Sequence, residues 1–241
     1  MSKPHSLSSQ AKELIEKVIS AAKADARKLV SLNQNNANTR IKKPLYAQER
    51  SANSPVVIIA SSTGGPKALR NILPYLSNKY NVSYIVVQHL PEGFSKPMAK
   101  DLNNLTPLNV KETEDGHILC PGDMLIAKSG YHTVIENDGS ISLNQAPPLL
   151  GMRPSADITM ITASEVFGEN LIGVVLTGMG RDGTNGIISI KKAGGITLAE
   201  DESTCVVYGM PRSAYETGCI DKLIPLTYMA DAINNTIASK P

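Results

Sequence analysis

The stretch "VVIIASSTGGPKALRNIL" covers residues 56–73. An unbroken apolar run, Val56 to Ala60, leads into Ser61, Ser62, Thr63, Gly64 and Gly65, after which apolar residues return at helical spacing. A short Val/Ile run without alternation is what a strand buried on both faces requires. Strand, glycine-rich turn and helix in that order form the opening unit of a parallel α/β sheet. Such a turn also exposes backbone N–H groups at a helix N-terminus. Hydroxyls placed there either cradle a phosphate or take part in chemistry.

Outward from this stretch the rhythm repeats. Strand-like runs occur at 82–88, 171–177 and 195–200, and helix-like runs at 66–76, 94–104, 183–193, 211–217 and 228–238, the last with Thr227 as N-cap. This alternation predicts a three-layer αβα architecture around a doubly wound, mainly parallel, Rossmann-like sheet. Residues 117–146 break the pattern: they alternate and contain Asp138-Gly139, which predicts a small antiparallel hairpin insertion. Ahead of the sheet, Leu14, Ile15, Val18, Ile19, Ala22, Ala26 and Leu29 mark an amphipathic helix within residues 7–31, and the Asn-rich residues 33–54 read as a polar linker. The chain therefore divides into an N-terminal helix (1–32), a linker (33–54) and a compact domain (55–241).

Composition narrows the function classes. The 241 residues carry a net charge of +2, no Trp and only two Phe, which argues against a nucleic-acid-binding or membrane-surface protein. Cys120, Cys205 and Cys219 are scattered and form no CxxC pair; free thiols in or near the core, in a reducing cytoplasm, are the expectation. No apolar run reaches the ~18–20 residues of a membrane span, and the N-terminus lacks the apolar region of a signal peptide.

In a doubly wound sheet, ligands bind beyond the carboxyl ends of the strands. Ser61, Ser62 and Thr63 come after the first strand, His89 after the second in "VVQHLPEGF", and Asp182 after the third in "TGMGRDG". A hydroxyl, an imidazole and a carboxylate converging on one sheet edge are the set a serine hydrolase needs. The hydroxyl needs a base to remove its proton, histidine titrates near neutrality, and a carboxylate on the far ring nitrogen fixes the tautomer. Glycine-rich turns can supply N–H donors to an oxyanion. Taken singly, each residue has a plainer reading: Ser62 as a helix cap, His89 as a structural histidine, Asp182 as a turn former. His5 lies near the terminus, and His117 and His132 fall in the hairpin region without ligand spacing, so surface positions are expected for both.

Several long motifs share one resemblance. "IIASSTGGPKALRNIL", "VVQHLPEGFSKPMAKDLN", "VKETEDG", "RPSADI", "GVVLTGMGRDGTNGI" and "AGGITLAEDESTCVVYGMPRSA" closely resemble, in order over about residues 55–238, the catalytic domain of the chemotaxis protein-glutamate methylesterases, the CheB family. The resemblance implies a parallel α/β fold and a Ser–His–Asp triad in that chain order. It implies Ser62 as nucleophile, His89 as base, Asp182 as its partner, the Met179 N–H in an oxyanion hole, and Thr63 beside the histidine. Arg153 would lie near the pocket and could meet an acidic substrate group. Ser61 stands where the family usually has a small residue such as alanine. The implied reaction is hydrolysis of glutamate γ-methyl esters, with deamidation of particular glutamines, on the cytoplasmic helices of chemoreceptors, without metal or organic cofactor.

Family members commonly carry a phosphorylatable receiver domain ahead of the esterase. Residues 7–31 resemble the last helix of such a receiver, and no acidic cluster able to hold magnesium precedes them. The expectation is a standalone or shortened family member, whose apolar stripe could recruit a separate receiver protein or a second copy of the chain. Two rival readings remain at this level: a phosphate- or nucleotide-binding module using "SSTGGP" and "GMGRDG" as anion cradles, and a receptor-binding adaptor that keeps the fold without the activity. "STGGPK" fits neither of the common phosphate-loop patterns.

Overall fold

The computed structural model describes residues 54–240 together with Ile15, Val18 and Ile19. Those three are helical and about half exposed (57%, 59% and 48%); the rest of the expected N-terminal helix and nearly all of the linker lie outside the described residues.

From residue 56 onward strands and helices alternate: β1 (Val56–Ser61), α1 (Gly65–Ile72), β2 (Ser83–Gln88), α2 (Ser95–Leu102), β3 (Asn109–Glu112), β4 (Asp123–Ile126), β5 (His132–Ile135), β6 (Ile141–Asn144), α3 (Ala156–Phe167), β7 (Leu171–Val175), α4 (Thr184–Lys192), β8 (Ile196–Glu200), α5 (Met210–Tyr215), β9 (Lys222–Ile224) and α6 (Leu226–Ala238). Seven strands form one sheet in the order β3-β4-β2-β1-β7-β8-β9, with every neighbouring pair parallel. β5 and β6 form a separate antiparallel hairpin.

The apolar run at 56–60 is continuous because its two faces serve two cores. Val57 and Ile59 pack under α1, α2 and α6, while Val56, Ile58 and Ala60 pack under α3, α4, α5 and the hairpin. Period-two alternation sends successive side chains to opposite faces, so an all-apolar strand in the middle of a sheet is covered on both. Gly173 in β7 shows how close this packing is: a Cβ there would lie 2.6 Å from the Ile190 side chain.

The expected three-layer parallel architecture is present, with three local corrections. The antiparallel insertion is built on β5 and β6, with an added bridge from Ile118 to Ser140; Asp123–Ile126, read as part of it, is a parallel strand of the main sheet between β2 and β3. The last helix begins at Leu226 with Pro225 at its cap position, so Thr227 lies inside the first turn and caps nothing. His132 is fully buried rather than at the surface, because β5 lays it under the Pro147 loop, where its Nε2 meets the Pro147 carbonyl at 3.2 Å.

Candidate active site

The side on which successive strands are added switches at β1: β2, β4 and β3 lie to one side of it, and β7, β8 and β9 to the other, all parallel. Such a switch point leaves a crevice beyond the strand carboxyl ends. The residues just past β1, β2 and β7 meet there.

Register fixes the first two. Ser61 pairs with Gln88 at the last rung of β1 and β2, and the His89 N–H donates to the Ser61 carbonyl at 3.1 Å. Ser62 and His89 therefore emerge side by side. On its other flank, the Ser62 N–H donates to the Thr177 carbonyl at 3.1 Å, just past β7. Thr177 is itself fastened: its N–H donates to Glu200 Oε2 (2.8 Å), its Oγ1 donates to the Thr63 carbonyl (3.0 Å), and that Oγ1 accepts the Val207 N–H (2.9 Å).

The two serines have different environments. Ser61 is fully buried, and its hydroxyl donates to Gln88 Oε1 at 2.7 Å. Ser62 is half-buried, and its hydroxyl makes no hydrogen bond among the described residues. Only the second has a hydroxyl free to meet a substrate.

His89 Nε2 lies 2.7 Å from Asp182 Oδ2, and the two side chains are 8% and 3% exposed. The other ring nitrogen, Nδ1, is buried and has no hydrogen-bond partner among the described residues. With the proton on Nε2 facing the carboxylate, Nδ1 is the acceptor. Asp182 also accepts from Ser155 Oγ (2.7 Å), the Ala156 N–H (2.7 Å), the Asp157 N–H (3.0 Å) and the Gly183 N–H (3.1 Å). Burial alone would raise its pKa. The hydrogen bond and charge of His89, with the Asp157 and Ala156 N–H groups at the start of α3, reverse that and hold the carboxyl below its ordinary range. Neighbouring Asp157, fully buried, is pushed upward by burial, against the Gly186 N–H, and by the Asp182 charge.

The remaining expected site residues divide. Met179 comes after Gly178 in the turn beyond β7, and its N–H makes no hydrogen bond among the described residues. Thr63 is exposed and its hydroxyl does not bond to His89; its carbonyl, instead, receives Thr177 Oγ1. Arg153 turns its guanidinium onto the carbonyls of Gln145 (2.9 Å) and Ala146 (3.1 Å), bracing the loop before α3. A cavity of about 340 Å³ lies along the Arg181–Asn185 turn, walled by Leu149, Leu150 and Asp157. Ser155, Thr177, Glu200 and Gln88 do not stand out in the sequence, although "RPSAD" and the Gln-His pair carry a local hint of two of them.

Comparison with known proteins gives the family and the fold. Residues 57–233 match the family described as CheB methylesterase. A relative from Clostridium acetobutylicum is 39% identical over 236 residues, 96% of this chain and 66% of its own length; one from Pyrococcus abyssi is 40% identical over 224 residues, 92% and 60%. Both are called protein-glutamate methylesterase/protein-glutamine glutaminase. The chain thus spans between half and two thirds of the length of the curated relatives it matches. The crystal structure of the Thermotoga maritima CheB methylesterase catalytic domain superposes with a TM-score of 0.73 at 38% identity, covering 76% of this chain and 98% of that one. With its matching core, its parallel sheet and its crevice at the β1–β7 switch point, the chain belongs to the CheB methylesterase family.

Proposed function

We propose that the chain is a serine esterase that hydrolyses glutamate γ-methyl esters, and deamidates glutamines, on the cytoplasmic helices of chemoreceptors. The observation that carries this reading is the His89 ring: Nε2 held on Asp182 at 2.7 Å, Nδ1 buried and unpartnered among the described residues, beside the turn that presents Ser62.

Ser62 Oγ attacks the ester carbonyl while its proton passes to His89 Nδ1. The imidazolium is stabilised by Asp182, whose depressed pKa keeps it charged. The Met179 N–H, without a hydrogen-bond partner among the described residues, is the donor this reading assigns to the developing oxyanion. Collapse of the tetrahedral intermediate breaks the C–O bond, and His89 Nδ1 protonates the departing methanol. Water then attacks the acyl-enzyme and gives a proton to Nδ1; the bond from the acyl carbon to Ser62 Oγ breaks, Nδ1 returns the proton to Oγ, and glutamate leaves. A glutamine side chain takes the same path with ammonia as the leaving group. Ser61 cannot replace Ser62, because it is buried and donates to Gln88.

The test is methanol release from a methyl-esterified chemoreceptor fragment. Wild-type protein is expected to release it, and Ser62→Ala to lose at least ~10³-fold of the rate. A folded Ser62→Ala variant as fast as wild type would remove Ser62 from the mechanism.

A further inference from the structure

We infer that Gln88 is a positioning residue that locks the nucleophile turn to the base turn, and that Ser61 holds its amide in the working orientation. The inference rests on the esterase reading above and concerns how its two reacting side chains are kept in register.

The Gln88 side chain is 2% exposed and sits between the ends of β1 and β2. Its one amide nitrogen donates to two carbonyls at once: that of Ser62 at 3.0 Å and that of His89 at 3.0 Å. These are the backbone oxygens of the residues that carry the nucleophile and the base. Both are acceptors only, so the NH₂ end of the amide has to face them. That orientation turns Oε1 inward, where the Ser61 hydroxyl donates to it at 2.7 Å. Both ends of the amide are thereby engaged, the nitrogen by two carbonyls and the oxygen by the Ser61 hydroxyl.

The amide is closely packed on this side. A Cβ on Gly65 would lie 2.0 Å from Gln88 Oε1 and 2.8 Å from Ser61 Oγ, so the glycine that opens α1 is also what makes room for the amide. The Ser62 carbonyl receives the Gly65 N–H as well, at 2.8 Å. Together with the His89 N–H on the Ser61 carbonyl at 3.1 Å, these bonds form a closed ring across two strand ends. The ring fixes the peptide planes after Ser62 and after His89. Reacting groups need placement to within a fraction of an ångström, and a misplacement of about 1 Å can cost ~10²-fold in rate.

Ser61 explains why this amide is fixed so firmly in this chain. With alanine at position 61, Oε1 would face a buried methyl group and the amide would lose the donor that selects its orientation.

The experiment compares wild type, Ser61→Ala, Gln88→Leu and the double variant, all in the full chain. Leucine keeps the volume and removes both donors. Two readouts are taken: kcat and KM for the methyl-esterified receptor fragment, and the rate at which a fluorophosphonate probe labels Ser62. For Gln88→Leu, kcat and the labelling rate are expected to fall together by about 10–100-fold, with KM unchanged. Ser61→Ala is expected to lose a smaller factor, roughly 3–10-fold, and to add nothing in the Gln88→Leu background, because both substitutions disable one unit. A fall in folded fraction alone would not move the labelling rate of the folded molecules or produce this non-additivity. If Gln88→Leu fails to fold, Ser61→Ala carries the test, since it removes one hydroxyl and leaves the backbone bonds in place. Variants that release methanol and label as fast as an active wild type overturn the positioning role and leave the esterase reading standing. A wild type that neither releases methanol nor labels overturns both.

Discussion

The Asp182 carboxylate joins a chemical partner, His89, to a structural one, the first turn of α3, and substitution can separate the two. Asp182→Asn offers an NH₂ where the His89 Nε2–H needs an acceptor, and so favours the wrong tautomer. Methanol release is expected to drop ~10³–10⁴-fold. Asp182→Ala adds a folding defect, because Ser155 Oγ and the Ala156 and Asp157 N–H groups lose their acceptor in a buried place. Each such loss costs about 1–3 kcal/mol, so calorimetry is expected to show a clearly lower Tm for alanine than for asparagine. Equal melting temperatures would contradict the capping role. At this scale the sequence discloses the residues that stand at strand ends: Ser62, His89 and Asp182 each lie just beyond a buried apolar run, where a parallel sheet opens its crevice. It does not disclose their supports. Ser155 reaches Asp182 from 27 residues away and Glu200 reaches Thr177 from 23, and no local pattern encodes such a pairing.

The elements show why one helix has no signature in the sequence. The buried face of α3 holds Ala156, Asp157, Thr159, Met160, Ala163, Ser164 and Phe167, a mixture with too little apolar contrast to give a helical period. Its polar members are buried for specific reasons: Asp157 accepts from the Gly186 N–H at 2.9 Å and Thr159 donates to the Thr133 carbonyl at 2.7 Å. β3 and β9, with four and three residues, are too short to stand out. β1, β2, β7 and β8 are legible because both their faces are covered, which forces unbroken apolar runs. The turn after β7 is sterically confined. A Cβ on Gly178 would lie 2.3 Å from Met210 Sδ and 2.9 Å from Ser62 Cβ. Gly178→Ala is therefore expected to push the nucleophile turn aside, with activity at least about tenfold lower and stability reduced by about 1–3 kcal/mol. Methanol release and a urea titration check the two parts; an unchanged rate would mean that Met210 alone absorbs the methyl group.

Across the whole molecule, acid should weaken the fold in two stages. His132 is buried beside Arg153, and burial, opposed by its bond to Pro147, pushes its pKa down. The unfolded chain then binds a proton that the folded one refuses. Stability is complete above the ordinary histidine value of about 6.5 and declines as pH falls below it. Asp182 acts lower: its folded pKa is depressed, so its contribution is present above the ordinary carboxylate value of about 4 and is lost as pH falls through the folded value. Asp157, shifted upward, works in the opposite direction. Urea unfolding at pH 7.5, 5.5 and 4 is expected to show the first loss between pH 7.5 and 5.5, and His132→Gln to flatten that segment. A wild-type curve already flat there would show that His132 keeps its ordinary affinity for protons.

The strand order has a consequence for a chain made from its N-terminus. β1 bonds on one side to β2, which begins at Ser83, and on the other to β7, which begins only at Leu171. Synthesis adds about 5–20 residues per second, so the roughly 110 residues between Ser61 and Leu171 take roughly 5–20 s to appear. Throughout that interval β1, buried on both faces in the finished fold, presents a bare edge to whatever surrounds the ribosome. The crevice that holds Ser62 does not exist until its second wall has been translated.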